Sequence, residues 1–327
     1  IQFTHTYHDI ISIENLLCAW KEFVKGKRPR KDVQEFERNL MANIIGLHKS
    51  LAAKTYTHGA YEAFKINDPK PRDIHKATVR DRVLHRALYR MLYPFFDLTF
   101  IADSYSCRLR KGTHKALRRF QKMVYIVSKN NTRQCFVLKC DIRKFFASID
   151  HEILLQILSK YISDKDILWL VERIISSFHS TQECIGLPLG NLTSQLFVNI
   201  YMNEFDQFAK HALKARYYIR YADDFVILSH DEQRLTETLR HIVRFLKEEL
   251  HLTLHPNKVS LHTISSGIDF LGWIHFSDHR VLRTSTKKRM LKKIHPENFF
   301  SYLGLLKHGN TQKLSKLVLN LVEQYDE

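Results

Sequence analysis

At 327 residues with 44% hydrophobic content, the chain is long enough for one large multi-lobed domain or two to three small ones, and its composition excludes a disordered or fibrous protein. Lys+Arg total 51 against 34 Asp+Glu, a net charge of +17, which on a folded protein points to a polyanionic partner: nucleic acid first, an anionic membrane surface second. Five cysteines, at 18, 107, 135, 140 and 184, show neither a CxxC pair nor zinc-ligand spacing and read as reduced, buried thiols of a cytoplasmic protein, and no apolar run approaches the ~20 residues that span a bilayer.

After Ser12, residues Ile13, Leu16, Leu17, Trp20, Phe23 and Val24 fall on one face at helical spacing, and Gly26 closes the segment. A basic loop, Lys25 to Lys31, precedes a second helical pattern (Val33, Phe36, Leu40, Ile44, Leu47, Leu51) that runs to about Lys54, so residues 1–55 are expected to form a helical pair. Tyr56 to Asp68 alternates loosely. Pro69-Lys70-Pro71-Arg72 then enforces extended backbone that presents Lys70 and Arg72 to solvent. A helix from Val79 to Phe96 buries Val83, Leu84, Ala87, Leu88, Met91 and Leu92. Asp103 to Arg108 leads through Lys111-Gly112-Thr113 into a helix carrying Arg118, Arg119 and Lys122. Cations near a helix N-terminus suit phosphate binding, and a merely solvated basic helix is the alternative.

Cys135 to Cys140 is a buried-strand run that delivers Asp141 into a turn, and Asp150 is a plausible N-cap for helices expected over 151–162 and 164–179. The loop Ile185 to Gln195 contains Gly186, Pro188 and Gly190, which lets backbone approach a ligand closely, and it opens an apolar helix through Phe205. Residues 216–230 place Asp223 and Asp224 between aromatic and β-branched runs, as at the tip of a hairpin. Ser229 to Glu232 reads as a capping box for a helix with Leu235, Leu239, Ile242, Val243 and Leu246 on one face. Strand-like Leu252-Thr-Leu, then Pro256-Asn257-Lys258, a hairpin over Gly267 to Ile274 and a basic helical tail from 283 complete the chain. Taken alone, Asp223-Asp224 reads most simply as a solvated turn. The order of elements, however, is that of a small sheet backed by helices, with two carboxylate-bearing strands meeting on its open face and Asp141 beside Asp223. Carboxylates held together near apolar walls repel, and a divalent cation, naturally magnesium, offsets them.

In order over roughly Tyr56 to Ile274, these motifs resemble those of a reverse transcriptase. Tyr221-Ala-Asp-Asp224 resembles the YxDD box, Val137 to Phe146 the strand bearing the other metal-binding aspartate, and Pro69 to Arg82 and Ser104 to Gly112 the two fingers motifs. Lys258 and Gly267 to Gly272 resemble the late palm and the primer grip. The resemblance implies an α+β right-hand polymerase fold with an antiparallel palm sheet. Its parts would be a helical extension (1–55), fingers (56–135), palm (136–274, with finger-side helices about 151–180) and thumb (275–327). It implies two Mg²⁺ ions, replaceable by Mn²⁺, at Asp141, Ile142, Asp223 and Asp224, with Asp224 the lesser ligand. Lys258 would be the general acid at the pyrophosphate, Arg72 and Arg108 would contact the triphosphate with Lys70 as helper, and Phe146 would be the steric gate against ribose. An ordinary core phenylalanine remains the alternative for Phe146.

One loop departs from the usual pattern. Where most bacterial members resemble Pro-Gln-Gly-x-x-x-Ser-Pro, this chain reads Pro188-Leu189-Gly190-Asn-Leu-Thr-Ser194-Gln195, which resembles the reverse transcriptases of diversity-generating retroelements. That resemblance implies error-prone copying of a template-repeat RNA, with errors concentrated at adenines, for diversification of a target gene. Leu189, Gly190 and Gln195 would lie at the nucleotide, and an aliphatic Leu189 cannot supply the amide contact of a glutamine. The partners implied are template RNA, the primer or cDNA strand, dNTPs and a small basic accessory variability protein, with no membrane. Maturase and endonuclease regions are expected to be absent. A retron-type or phage-defence enzyme, or a catalytically inactive RNA-binding module of the same shape, are the competing readings.

Overall fold

The computed structural model describes residues 2–67 and 71–323. A short helix without a clear sequence signal, α1 (Tyr7–Ile11), starts at a reciprocal Thr6–Asp9 capping box, and α2 (Ile13–Phe23) begins where Ser12 Oγ accepts from Asn15 N. The second expected helix is two, α3 (Lys31–Arg38) and α4 (Leu40–Ala52), because the Asn39 backbone leaves the helical region at φ −117° and ψ 35°. Strand β1 (Glu62–Ile66) pairs antiparallel with β2 (Arg72–Lys76), Ile66 facing Arg72, while Pro69 and Lys70 of the expected extended segment lie outside the described residues. Helix α5 (Val79–Thr99) runs past Phe96 and accommodates Pro94 near its end. Helix α6 (Thr113–Val127) and strand β3 (Phe136–Asp141) follow.

Asp150 and Asp164 cap α7 (His151–Ser159) and α8 (Lys165–Ile175). Both are shorter than their apolar periodicity. Ile162 is buried and Phe178 packs on Tyr61 and His75 from non-helical backbone, and burial there mimicked a helical pattern. Next come α9 (Leu192–Gln207), β4 (Tyr218–Tyr221), β5 (Asp224–Ser229) and α10 (Glu232–Glu249). The cap of α10 is Asp231, whose Oδ1 accepts from Arg234 N at 3.0 Å, rather than the expected Ser229. Leu252–Leu254 forms no strand of a sheet. Leu252 is buried and its N–H returns to Leu246 O, so its apolar character records burial. The chain ends in β6 (Ser260–Thr263), β7 (Ile268–Phe270), β8 (Trp273–His275), β9 (Arg280–Leu282), α11 (Thr284–Lys293), α12 (Phe299–Leu306) and α13 (Gln312–Glu323).

The chain divides into two compact units. The first contains the residues up to Ala102 with Ile142–Ala212 and Val243–Thr253. In it α2 lies against α5, where buried Asn15 donates from Nδ2 to Ile10 O and Ala87 O, and Tyr7 OH donates to Leu51 O. The second unit contains Asp103–Asp141, Leu213–Ile242 and the chain from Leu254. Its four-stranded sheet has the order β4-β5-β3-β6 with antiparallel pairing throughout. Helix α6 covers one face through Ala116, Phe120 and Val124, packed on Val137, Val226 and Leu228 together with Phe270. A second sheet, β7-β8-β9, joins the terminal helices in an apolar cluster of Trp273, Leu282, Met290, Leu306 and Val318. Gly309 fits against the Trp273 ring, where an added Cβ would also meet Arg280 O at 2.9 Å. Among the described residues no helix is long and apolar enough to cross a membrane.

Candidate active site

In the second unit, the register of β3 and β5 sets Asp141 directly opposite Asp224, and Tyr221 pairs with Asp224 on the other side. Asp223 occupies the two-residue turn with Ala222, so the carboxylate directly across from Asp141 is Asp224 rather than the expected Asp223. Ala222 lies at φ 57°, left-handed backbone that strains a residue with a Cβ. The turn is braced from inside by Arg220, a fully buried side chain donating from Nη1 to Ala222 O and from Nη2 to Ser104 Oγ, both at 3.1 Å. Residues 103–105 also bond along β4, with Arg220 N donating to Asp103 O and Tyr105 N to Arg220 O. This support was missed in the sequence, where its signal is a lone cation inside the apolar run Tyr218-Ile-Arg-Tyr221.

Lysines face two of the three carboxylates. Lys258 Nζ lies 2.8 Å from Asp141 Oδ1, and Lys139 Nζ lies 3.7 Å from Asp224 Oδ2. Burial pushes the Asp224 carboxyl up to about 7, against the pull of Lys139 and with the charges of Asp141, Asp223 and Asp269 adding to the rise. Asp224 Oδ1 is buried without a hydrogen-bond partner. Among the described residues no three His, Cys, Asp or Glu side chains are arranged to hold a metal ion. The donor set nevertheless suits magnesium: hard carboxylate oxygens on adjacent strands, one of them an orphaned buried acceptor. The aliphatic side chain of Ile142 has no ligand atom and is buried, so that residue could offer a cation only its backbone carbonyl. Arg108 belongs to this unit and donates from Nη1 to Ser104 O.

The remaining expected site residues fall in the first unit, except Lys70, which lies outside the described residues. Arg72 opens β2. Phe145 takes the buried position in the turn after Asp141, and Phe146 beside it is partly buried. Phe146 O accepts from Leu187 N at 2.7 Å, which ties this segment to the Leu189 loop. That loop is laced to β2: His75 N donates to Leu189 O and Asn191 Nδ2 to His75 O, both at 3.0 Å. Gly190, at φ 107°, allows the approach, since a Cβ there would stand 2.8 Å from Ile74 Cγ2. Gln195 sits in the first turn of α9, its N–H directed at Asn191 O. Asn191 and His75 carried no sequence signal beyond their place in the motif.

Residues 65–275 match the family described as reverse transcriptase (RNA-dependent DNA polymerase). The chain therefore belongs to the reverse transcriptase family. Relatives include protein YkfC of Escherichia coli K12, 26% identical over 248 residues that cover 64% of this chain and 62% of that protein. The group II intron-encoded protein LtrA of Lactococcus lactis subsp. cremoris is 22% identical over 294 residues, covering 69% and 47% respectively. The chain thus spans less than two thirds of the length of these relatives. Among solved structures, telomerase from Candida albicans in complex with a fragment of telomeric RNA matches with a TM-score of 0.54 at 11% identity, covering 77% of this chain and 51% of that one. Apo telomerase from Candida tropicalis gives 0.52, also at 11%, covering 72% and 59%. The fold is that of these structures, an antiparallel sheet backed by helices.

Proposed function

We propose that this chain copies RNA into DNA by two-metal nucleotidyl transfer. The observation that carries the reading is the cross-strand pair Asp141–Asp224 with Asp223 in the adjoining turn, inside the region that matches the family. Asp141 and Asp223, with Asp224 beside them and the Ile142 carbonyl, hold the cations. When bound, two Mg²⁺ ions supply Lewis-acid activation of the primer 3′-hydroxyl and screen the triphosphate and its leaving pyrophosphate. Arg72, Arg108 and Lys70 bind triphosphate oxygens, and Lys258 gives its Nζ proton to the pyrophosphate. The partly buried Phe146 ring excludes a ribose 2′-hydroxyl. RNA template, primer strand and dNTPs are the partners, with fingers, palm and thumb divided as the resemblance implies. Primer extension on an RNA template with Mg²⁺ and dNTPs tests this against Asp223→Ala. Equal incorporation by both proteins would overturn it.

The finer reading is an error-prone enzyme of the diversity-generating type, working on a template-repeat RNA with a small basic accessory protein. Leu189 and Gln195 support it, because an aliphatic side chain at 189 removes a polar contact that holds a correctly paired nucleotide. Sequencing of cDNA from the parent should find errors concentrated at template adenines, with fewer in Leu189→Gln. An even error spectrum in the parent would instead favour a retron-type or phage-defence enzyme, and identical spectra for the two proteins would acquit Leu189.

A further inference from the structure

The sheet face that carries Asp141 and Asp224 becomes an apolar core within a few residues: Val137, Val226 and Leu228 on that face are buried against α6, Ile268 and Phe270. Between core and carboxylates stands Lys139, whose side chain is only 16% exposed. Bringing an ammonium group to that boundary is costly unless it is paired, and an aliphatic residue would fill the position without the cost. What lysine adds is a link. Its Nζ donates to Asp269 O, on β7, at 2.5 Å while facing Asp224 Oδ2 at 3.7 Å. Asp269 is fastened on its other side, since its Oδ1 accepts from Arg283 Nε at 2.8 Å. Arg283 is the residue from which α11 starts, and its own N–H returns to Gly272 O at 3.1 Å.

We propose that Lys139 is a positioning residue that fixes the β7–β8 hairpin, and through Asp269 and Arg283 the start of α11, against the Asp224 end of the four-stranded sheet. The hairpin and the carboxylates belong to different sheets, and no strand pairing joins β7 to β3. Lys139 supplies that register through one charge-assisted hydrogen bond. The link sets the distance of the hairpin from Asp224.

Hydrogen exchange of the full chain, without nucleic acid or metal, tests the link directly. In Lys139→Met the amides of residues 267–275 should exchange several-fold faster while those of α2 and α5 are unchanged, and Lys139→Arg should restore protection. Unchanged exchange in a folded Lys139→Met protein overturns the proposal. Should that variant not fold by circular dichroism, Arg283→Met, which cuts the other end of the link, must loosen the same hairpin, and its failure to do so overturns the proposal equally. A second arm rests on the polymerase reading. In primer extension Lys139→Met should lose about tenfold or more in kcat with little change in primer-template KM, as misplacement rather than lost binding predicts. If the parent makes no cDNA, the polymerase reading fails, while the exchange result still decides the role of Lys139.

Discussion

Lys258 Nζ sits on Asp141 Oδ1 at 2.8 Å, so a lysine and a cation would compete for the same carboxylate oxygen. Replacing Lys258 by methionine leaves the carboxylates of Asp141, Asp223 and Asp224 less compensated and frees Asp141 for metal. The metal-free Lys258→Met protein should melt below the parent, and added Mg²⁺ should raise its Tm by more than it raises the parent's, because binding to the folded state stabilises by mass action. Thermal melts across a Mg²⁺ titration check this. Equal shifts in the two proteins would mean that Lys258 does not guard the site.

Arg220 holds the turn that presents Asp223. Arg220→Met removes the donors to the Ala222 carbonyl and to the buried Ser104 hydroxyl, at a cost of about 2 kcal/mol or more. Arg220→Lys should recover little, because one ammonium cannot reproduce a fork that reaches both acceptors. Denaturant unfolding of the three proteins gives the stability order, and primer extension should fall in the same order.

Gly190→Ala should disturb nucleotide handling more than folding. The new Cβ meets Ile74 at 2.8 Å on backbone at φ 107°, which pushes the loop off β2 and loosens the bond from His75 N to Leu189 O. Positive-φ strain of about 1–2 kcal/mol is expected. The dNTP KM should rise several-fold and the error spectrum should change, with Tm lowered by only a few degrees. A spectrum and KM equal to the parent's would show that the lacing is not felt at the nucleotide.

Acid should weaken the first unit through His85, whereas in the second unit the loss through His275 is opposed by Asp224, whose raised carboxyl takes up a proton in the folded state first. Burial pushes the pKa of His85, whose Nε2 lies 3.2 Å from His58 Nε2, down to about 3, and that of His275 down to about 4. Both lie below the ordinary 6.5, so as pH falls from 6.5 the unfolded chain takes up protons that the folded chain refuses. The histidine contribution is therefore full above that value and declines below it, by about 2 kcal/mol per histidine at about pH 5. His85→Gln should flatten the profile of Tm against pH between about pH 7 and about pH 5. A variant profile parallel to the parent's would show that His85 titrates normally.

Much of the site was legible because it depends on local patterns. The strand ending at Asp141 and the hairpin around Asp223 and Asp224 follow from β-branched and aromatic runs interrupted by carboxylates, and the caps at Ser12 and Asp150 lie where side-chain chemistry places them. Periodicity misled where it reported burial instead of conformation, as at Leu252 and Phe178. It also ran across the break at Asn39, which an apolar count does not register.

By itself, then, the sequence determined the order of motifs, the carboxylate-bearing strands and the chemistry their residues favour, since each is written within a few neighbouring positions. Only the tertiary structure decided that Asp224 is the cross-strand partner of Asp141, that Lys258 reaches Asp141 across 117 residues, and that Lys139 reaches Asp269 across 130. The physical reason is register. A strand shifted by one residue turns every side chain to the opposite face, so contacts between distant segments are set by how whole strands pair and pack, which no local pattern encodes.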